Sequence, residues 1–537
     1  MNQSLALQRS LFRHQARQIA RQVQSGSRAF VAYQRRYERA TRGYRRVITA
    51  TQVNKRIAAA DVVYIGDYHT LRLAQAAYLE LVKAAIEGDR RVVLALEFVE
   101  SRHQATLDAF LAGKLTEKRF LAKIGHPYRG PFDIWPGFAP ILELAKKKKL
   151  TVIAIDRRAP GPRSLELRDE GASEEIARAL EADDHPLVMV LVGQFHVAPS
   201  HLPRQVQRRV TRELEALVVY QNAEGVYWSL AARGLVESTR AVELSDGEVC
   251  LVNASPVVAQ RSFLDYVEAE AGDAPLDDGE HGIATTFRHL ARDIGKFVGV
   301  DVTRASNSVE VLTASTIDFL DRLRNCGNFS RVELRALEKH VLSLESGWIP
   351  RARAVWLASR SLNHAAEEAA HFVRFVCVGS AMDRSRPHAE AFWARALEEA
   401  LGFLGSRLVN PKRRCVTLDE WTAHFHQRGR DGQREIGAFT LAISAALHDD
   451  ASHARALVPD DRDRLFHGVS HAIGYLLGDA LARAHARGAL SQKELSALFH
   501  DRFDDPALTF ATLARRFHAF GRAGSRVRSA AGAQAHG

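Results

Sequence analysis

Residues 62–69 read VVYIGDYH, and residues 187–196 read LVMVLVGQFH. Each stretch is an apolar run, rich in β-branched side chains, that ends in the pattern Gly-x-x-His. A run that is apolar at every position indicates a strand buried on both faces, as in a parallel sheet covered by helices. Glycine lets the backbone turn sharply where such a strand ends, so the histidine three residues later can point back over the sheet. These two stretches therefore predict one edge of a parallel sheet that carries two imidazoles.

Further predicted strands alternate with helical segments around these two stretches. Buried strands are expected at 92–96 and 151–155, and the alternation of strands with helices is typical of an α/β fold. A turn at Asp246-Gly247, where glycine accepts a positive φ, indicates a hairpin. We thus predict an α/β fold, a mostly parallel sheet flanked by helices, with a separate C-terminal all-α domain. The strand pairs predicted at the end of the sheet are 216–220 with 226–230, and 242–244 with 249–252.

The length of the chain and the changes in composition along it predict several domains and connecting segments. A chain of 537 residues is too long for one ordinary core. Residues 268–282 are acidic and rich in small residues, which favours a linker, and helical periodicity dominates beyond them. The predicted parts are a basic helical arm over 1–57, an α/β domain over 58–256, a linker over 257–282, a helical domain over 283–521 and a disordered tail over 522–537.

The positive charge is concentrated in the N-terminal arm. Residues 1–60 contain thirteen Lys or Arg and one acidic residue, Glu38, whereas the whole chain carries a net charge of +11. The rest of the chain is therefore close to neutral. Two interpretations of the arm stay open: a solvated helical hairpin packed on the body, or a row of arginines and aromatic residues that contacts an anionic surface. For the second, a membrane surface is expected and nucleic acid is not.

The composition excludes several classes of protein. Hydrophobic residues make up 46% and charged residues 26%, which suits a globular chain and not a fibrous one. The four cysteines have no paired spacing, which argues against a disulfide framework and a cysteine zinc site. No apolar run is long enough for a membrane span, and arginines interrupt any signal sequence near the start. We expect a cytoplasmic protein that can associate with a membrane surface or with copies of itself.

Polar side chains follow all four buried strands at their carboxyl ends. The first and fourth strands end in His69 and His196, the second ends at Glu97, and the third ends at Asp156. The carboxyl ends of parallel strands meet at one edge of the sheet, where ligands usually bind. We therefore predict that these four side chains share one polar site.

Two kinds of chemistry suit this set of residues. His69, Glu97 and His196 could hold a divalent transition metal and leave positions open for water or substrate. Together with Asp156 they could instead exchange protons as general acid and base without a metal. Arg157 and two neighbouring arginines either hold an anionic group or form a solvated basic loop.

The motifs at the strand ends resemble those of a known family. GDYH at 66–69, LALEF around Glu97, AIDRR after the third strand and VGQFHV around His196 stand in the order seen in ChaN proteins. The region is similar to a ChaN-type domain of the superfamily that includes Tiki, TraB and erythromycin-esterase-like proteins. Asp67 stands where the family usually has Glu, and the lipid-anchoring signal of typical ChaN lipoproteins is not seen.

The resemblance implies both a site and a ligand. ChaN proteins are regarded as haem-binding and iron-linked, whereas the Tiki and esterase branches are hydrolases, so we expect haem or a divalent metal ion. His69, Glu97 and His196 would be the core residues of the site. The residues expected to contact a cofactor or to shape the turns around it are Gly66, Asp67, Tyr68, Gly193 and Arg157.

The C-terminal half contains one suggestive stretch, HAAEEAAH at 364–371. It places Glu368 and His371 on one helical face as Glu-x-x-His, a motif that di-iron helical bundles use twice together with two further Glu. Only one such motif is found, so we expect an ordinary polar or interface face here. His467 and His471 are expected to be buried and hydrogen-bonded.

Overall fold

The computed structural model describes residues 3–22, 28–125, 134–159, 163–270, 282–316, 318–325, 328–343, 345–379, 385–426, 432–449, 457–459 and 464–520. The chain divides into two compact units, Met1–Glu270 with Ala314–Glu338, and Ala271–Thr313 with Lys339–Gly537. Each unit has its own hydrophobic core.

The first unit is built on an eight-stranded sheet. The strand order is β1-β7-β8-β6-β2-β5-β3-β4. The six strands from β8 to β4 are parallel to their neighbours, and β7 is antiparallel to both β1 and β8. This arrangement confirms the predicted fold class. The strands are β1 Arg46–Ile48, β2 Val62–Asp67, β3 Val92–Glu100, β4 Thr151–Asp156, β5 Leu187–Gly193, β6 Ala216–Gln221, β7 Ala241–Ser245 and β8 Glu248–Leu251.

The central strands are buried because they are covered on both faces. Every residue of β2 is buried, and so are the first six residues of β5. Apolar side chains at successive positions can therefore be removed from water without an exposed polar face. The helices of this unit are α1 Gln3–Gln22, α2 Arg28–Ala40, α3 Ala50–Ala59, α4 Arg72–Ala85, α5 Gln104–Leu111, α6 Glu117–Lys123, α7 Trp135–Lys148, α8 Ser164–Leu180, α9 Leu202–Gln207, α10 Glu224–Ala232 and α11 Pro256–Glu270.

One predicted strand is wrong. Residues 226–230, expected to pair with 216–220, lie in helix α10. Val226 and Leu230 are both fully buried, and their spacing of four residues puts them on one helical face. Asn222 has a positive φ of 54°, so the chain turns out of β6 directly into this helix. The β-branched and aromatic content of the segment therefore favoured the wrong element, and its nearly continuous burial shows no helical period.

The predicted part boundaries also differ from the structure. Residues 257–270 were expected to begin a linker, but they are helical in α11, where Val257 and Leu264 are buried. The N-terminal arm belongs to the same compact unit as the sheet, since α1 packs on α11 and the side chains of Tyr33 and Tyr37 are buried. Residues 271–281 and the predicted tail at 522–537 lie outside the described residues.

The second unit is mostly helical and is called the helical unit below. Its core is formed by long helices packed side by side, and it also contains a small sheet of order β10-β11-β9 that the sequence analysis did not predict. The strands are β9 Glu310–Leu312, β10 Gly347–Ile349 and β11 Ala354–Trp356. The remaining α-helices among the described residues are α12 Gly282–Val298, α13 Thr303–Asn307, α14 Phe319–Asn325, α15 Arg331–Ser343, α16 Leu362–Val378, α17 His388–Val409, α18 Leu418–His426, α19 Gly432–Asp449, α20 Arg464–Ala486, α21 Gln492–His500 and α22 Pro506–Arg516. Of these, α14 lies in the first unit, and α15 begins there and ends in the second.

None of the described helices combines the length and the apolar character needed to cross a membrane.

Candidate functional site

Three predicted residues meet at the carboxyl edge of the sheet. Strands β2 and β3 both pair with β5, so the residues that end these three strands are neighbours. His69 Nε2 lies 3.7 Å from one carboxylate oxygen of Glu97, and His196 Nε2 lies 3.8 Å from the other. We call these three residues the His–Glu–His cluster. The structure brings together side chains that are as much as 127 positions apart in the sequence.

Glu97 is the centre of the cluster. Its carboxylate pairs with the guanidinium of Arg168 and accepts a hydrogen bond from the backbone N–H of Gly193. Burial alone would raise the pKa of Glu97, but the guanidinium, the two imidazoles and the Gly193 N–H together lower it to about 2. Glu97 is therefore ionised at every ordinary pH.

An aspartate orients His69. The Nδ1–H of His69 donates to Asp67 Oδ2 at 2.7 Å, and the side-chain amide of Gln75 donates to the other oxygen of Asp67. Burial alone would lower the pKa of His69, but the hydrogen bond to Asp67 and the negative charges of Asp67 and Glu97 raise it to about 9. Asp67 is almost fully buried behind the ring, so it orients the imidazole with Nδ1 towards Asp67 and Nε2 towards Glu97.

A second aspartate orients His196. The Nδ1–H of His196 donates to Asp169 Oδ1 at 2.6 Å, and the hydroxyl of Tyr33 donates to Asp169 Oδ2 at 2.7 Å. All three side chains are buried, and the Tyr33 ring stacks on His201 with ring centres 3.7 Å apart. Helix α2 of the N-terminal arm thus supplies a direct contact to the polar site.

Asp156 takes part through Arg168. The Nε–H of Arg168 donates to Asp156 Oδ1 at 2.9 Å, while another nitrogen of the same guanidinium pairs with Glu97. Burial raises the pKa of Asp156, and the guanidinium opposes that shift. Asp156 therefore fixes Arg168 against Glu97.

The two glycines at the strand ends allow close approach. A Cβ at position 193 would lie 3.3 Å from Glu97 Oε2, 3.4 Å from His196 Cδ2 and 3.6 Å from His69 Nε2. A Cβ at position 66 would lie 3.3 Å from the Cα of Gln194. Gly193 therefore keeps open the space among the three side chains of the cluster, and Gly66 lets the β2 and β5 turns pack together.

A large cavity opens over the cluster. It has a volume of about 1000 Å³ and is lined by all three cluster residues and by Tyr68. A cavity of this size holds a ligand much larger than a metal ion. Its apolar walls come mainly from three helices, with Phe12 and Ile19 from α1, Phe30 and Tyr37 from α2, and Phe263 and Tyr266 from α11.

Arginines also line the cavity. Arg35, Arg39 and Arg42 lie on or directly after α2, all three are exposed, and among the described residues none of them pairs with a carboxylate. Guanidinium groups bind carboxylates and phosphates well. The cavity therefore combines aromatic walls, cationic groups and an imidazole.

The comparison with protein families agrees with the motifs at 66–69, around Glu97 and after the third strand. Residues 53–160 match the protein family described as haem-binding uptake, Tiki superfamily, ChaN. This part of the chain is similar to ChaN proteins. A solved structure titled for cofacial haem binding to ChaN of Campylobacter jejuni is 11% identical, with a TM-score of 0.27, and the match covers 32% of this chain and 86% of that chain. No curated protein matches this chain in sequence.

The first unit, which contains this matching segment, is called the ChaN-like unit from here on. Of the five residues predicted to contact a cofactor or to shape the turns around it, Gly66 and Arg157 do not line the cavity. Arg157 pairs with Glu174 at 3.0 Å, is largely exposed and does not line the cavity. The sequence analysis did not single out Arg168, Asp169 or Tyr33 as site residues. They are contributed by helices α8 and α2, and no strand-end motif marks them. The one signal available for Tyr33 was its helical spacing from Tyr37.

Proposed function

We propose that the ChaN-like unit binds haem in the 1000 Å³ cavity, with His69 facing the ligand. The observation that carries this proposal is the combination of aromatic walls, three arginines and a fixed imidazole in one space. Haem is a flat, apolar ring that bears two carboxylates and an iron, and histidine is a common iron ligand. The residues present therefore fit such a group.

The roles of the individual side chains follow from their contacts. Asp67 holds the Nδ1–H of His69, so Nε2 is the ring nitrogen that can meet the iron. Because the raised pKa keeps His69 protonated at neutral pH, its Nε2 proton would leave when the ligand binds. Arg39 and Arg42 would pair with the carboxylates of haem, and Phe30 and Phe263 would contact its ring.

Titration with haemin tests this proposal. Wild-type protein should give a saturable change of the Soret band, and His69→Ala should shift that band and weaken binding by about tenfold or more. His185→Asn is the matched control, because His185 is exposed on the same unit and Asn tolerates its positive φ. A titration without saturation, or identical spectra for wild type and His69→Ala, would contradict the proposal.

The arginines are tested separately from the imidazole. The double variant Arg39→Ala and Arg42→Ala should weaken haemin binding while the Soret position stays that of wild type, because the iron ligand is unchanged. Arg178→Ala is the control, since Arg178 is an exposed arginine of the same unit that pairs only with the neighbouring Glu175 on its helix. An equal loss of affinity in the control would show general charge attraction instead.

A divalent metal ion that serves a hydrolase is the second candidate. In both imidazoles of the His–Glu–His cluster, Nδ1 is hydrogen-bonded to an aspartate and Nε2 faces Glu97. A hydrogen bond from one ring nitrogen to a carboxylate is common for histidines that bind a metal through the other nitrogen. However, the ligand atoms of these three described residues do not all lie within 4.8 Å of one another. A stoichiometric metal that is lost in His69→Ala with His196→Ala would favour this candidate over haem.

Contact of residues 1–57 with an anionic membrane surface stays a prediction. Arg13 and Arg17 on α1 and Arg36 on α2 are exposed, which supports it. Co-sedimentation with vesicles that contain anionic lipid should decrease as salt rises, and it should decrease further in Arg13→Ala with Arg17→Ala. Binding that salt does not change would contradict it.

A further inference from the structure

The helical unit contains a second cluster of buried ionisable residues. Helices α16, α17 and α20 bring together Glu367, Glu399 and His471, whose ligand atoms all lie within 4.8 Å of one another. The two glutamates are each 4% exposed. Gly474 allows the helices to approach at this level, since a Cβ there would lie 2.6 Å from the Cβ of Glu399.

Two further donors lie beside these three residues on α16. Glu368 Oε2 and His371 Nε2 are buried, and neither has a hydrogen-bond partner among the described residues. Glu368 is only 4% exposed and directly follows Glu367 on α16. Gly402 leaves room for the His371 ring, because any Cβ there would collide with its Nε2.

The charges in the cluster are only partly balanced. Arg413 pairs with Glu367 at 3.0 Å and Arg395 pairs with Glu399 at 2.8 Å, whereas among the described residues Glu368 pairs with no arginine. Its nearest basic contact is His371 Nδ1, 3.9 Å away. A carboxylate buried without a cationic partner is costly, and a bound cation would remove that cost.

Hydrogen bonds already fix the orientation of the Glu367 carboxylate. The hydroxyl of Tyr475 lies 2.7 Å from Glu367 Oε2, and an N–H of Arg413 donates to the same oxygen. Each carboxylate oxygen has two lone pairs, so these bonds leave acceptor capacity for a metal ion. Partners of this kind fix the direction of metal-bound carboxylates.

We propose that the helical unit binds a divalent transition-metal ion through Glu367, Glu399 and His471, with the buried side chains of Glu368 and His371 beside these ligands. Carboxylates and imidazoles together suit zinc, manganese or iron. The sequence analysis expected an ordinary polar face because it found a single Glu-x-x-His. The remaining donors come from other helices at positions that no second copy of the motif marks.

Cobalt(II) is a suitable probe because it replaces such ions and has a visible spectrum when it is bound. Full-length protein is first treated with a chelator and then titrated with Co²⁺ alone, followed by visible absorption and calorimetry. We expect one tight equivalent in wild type and in the double variant His69→Ala with His196→Ala. We expect its loss in Glu399→Gln and in His471→Gln, while the exposed His500→Gln binds as wild type does.

Circular dichroism separates loss of binding from loss of fold. If either ligand variant does not fold, Glu368→Gln provides the second test, because it keeps the shape of the side chain and breaks no arginine pair. Its Co²⁺ affinity should fall by about tenfold or more, with a changed spectrum. Absence of binding to wild type, or binding that stays the same in folded Glu399→Gln, His471→Gln and Glu368→Gln, would overturn the proposal.

Discussion

The two buried polar clusters of this protein use the same residue types in different surroundings. In the ChaN-like unit, Glu97 and the aspartates behind His69 and His196 all have hydrogen-bond donors, and the cluster faces a cavity of about 1000 Å³. In the helical unit, a carboxylate oxygen of Glu368 and Nε2 of His371 have no partner among the described residues. A satisfied cluster beside open space suits a large ligand, whereas two buried donors without partners between packed helices suit an ion.

The largest expected difference between the clusters concerns their arginines. Arg413 has a side chain only 7% exposed, and its guanidinium lies against the rings of Phe403 and Tyr475. In metal-free protein, Arg413→Met should lower the free energy of unfolding by about 3–5 kcal/mol, because Glu367 would stay buried without its cation. Denaturant unfolding measures this change. The neighbouring Arg414, with a side chain 74% exposed, is the control, and Arg414→Met should change the free energy by less than about 0.5 kcal/mol.

Removing the corresponding arginine of the ChaN-like unit, Arg168, should lower the free energy of unfolding by less. Arg168 pairs with Glu97 and Asp156, but its side chain is 29% exposed, so water can reach the carboxylates when it is removed. We expect Arg168→Met to lower the free energy of unfolding by about 1–3 kcal/mol, as measured by the same denaturant unfolding. Arg178→Met, an exposed position on the same helix, should have almost no effect. A loss as large as that of Arg413→Met would mean that the two clusters are equally closed to water.

Removing a hydroxyl group of the N-terminal arm should have a measurable but smaller effect on the free energy of unfolding. Tyr33→Phe removes the donor to Asp169 Oδ2, and we expect a loss of about 1 kcal/mol in the free energy of unfolding. Tyr37→Phe is the matched control, since its hydroxyl is 3.4 Å from Gln194 Oε1 and therefore bonds weakly. Equal losses of free energy of unfolding in both variants would show that the hydrogen bond to Asp169 stabilises the protein no more than the weak bond to Gln194.

The smallest expected effect is a dependence on pH through His201. Burial lowers the pKa of this histidine, and its Nδ1–H donates to the backbone oxygen of Phe195 at 2.7 Å. As pH falls below about 6.5, the unfolded chain takes up a proton that the folded chain does not, so stability is lost on acidification. Comparing the melting temperatures of wild type and His201→Phe at neutral and acidic pH measures this loss. An identical pH dependence in the two proteins would exclude His201 as its source.

The sheet was predictable from sequence because its strands are short and buried on both faces. Such strands appear as unbroken apolar runs, and the polar residue that ends each run marks the edge where His69, Glu97 and His196 meet. Helix α10 was missed because Val226, Tyr227 and Trp228 suit a strand by residue type, and because these residues and Leu230 are all buried, so the segment shows no helical period.

The residues that the sequence did not reveal are those delivered by helix packing. Asp169 and Arg168 reach the His–Glu–His cluster because α8 lies beside β4 and β5, and Glu399 and His471 meet because α17 packs against α20. These pairings depend on which helical faces meet in three dimensions. Periodicity shows that a face exists but not which partner it meets, so functional residues on helices give a weaker signal than residues at strand ends.

The contact between Tyr33 and the two residues His196 and Asp169 has a consequence for biosynthesis. Tyr33 is separated from His196 by 163 positions, so it leaves the ribosome long before its partner is made. The aromatic side chains of α1 and α2 that line the cavity therefore stay exposed to water until β5 has joined the sheet. The cavity is consequently completed late in folding, and a nascent chain that stops before residue 196 would contain the cavity residues of α1 and α2 but not His196.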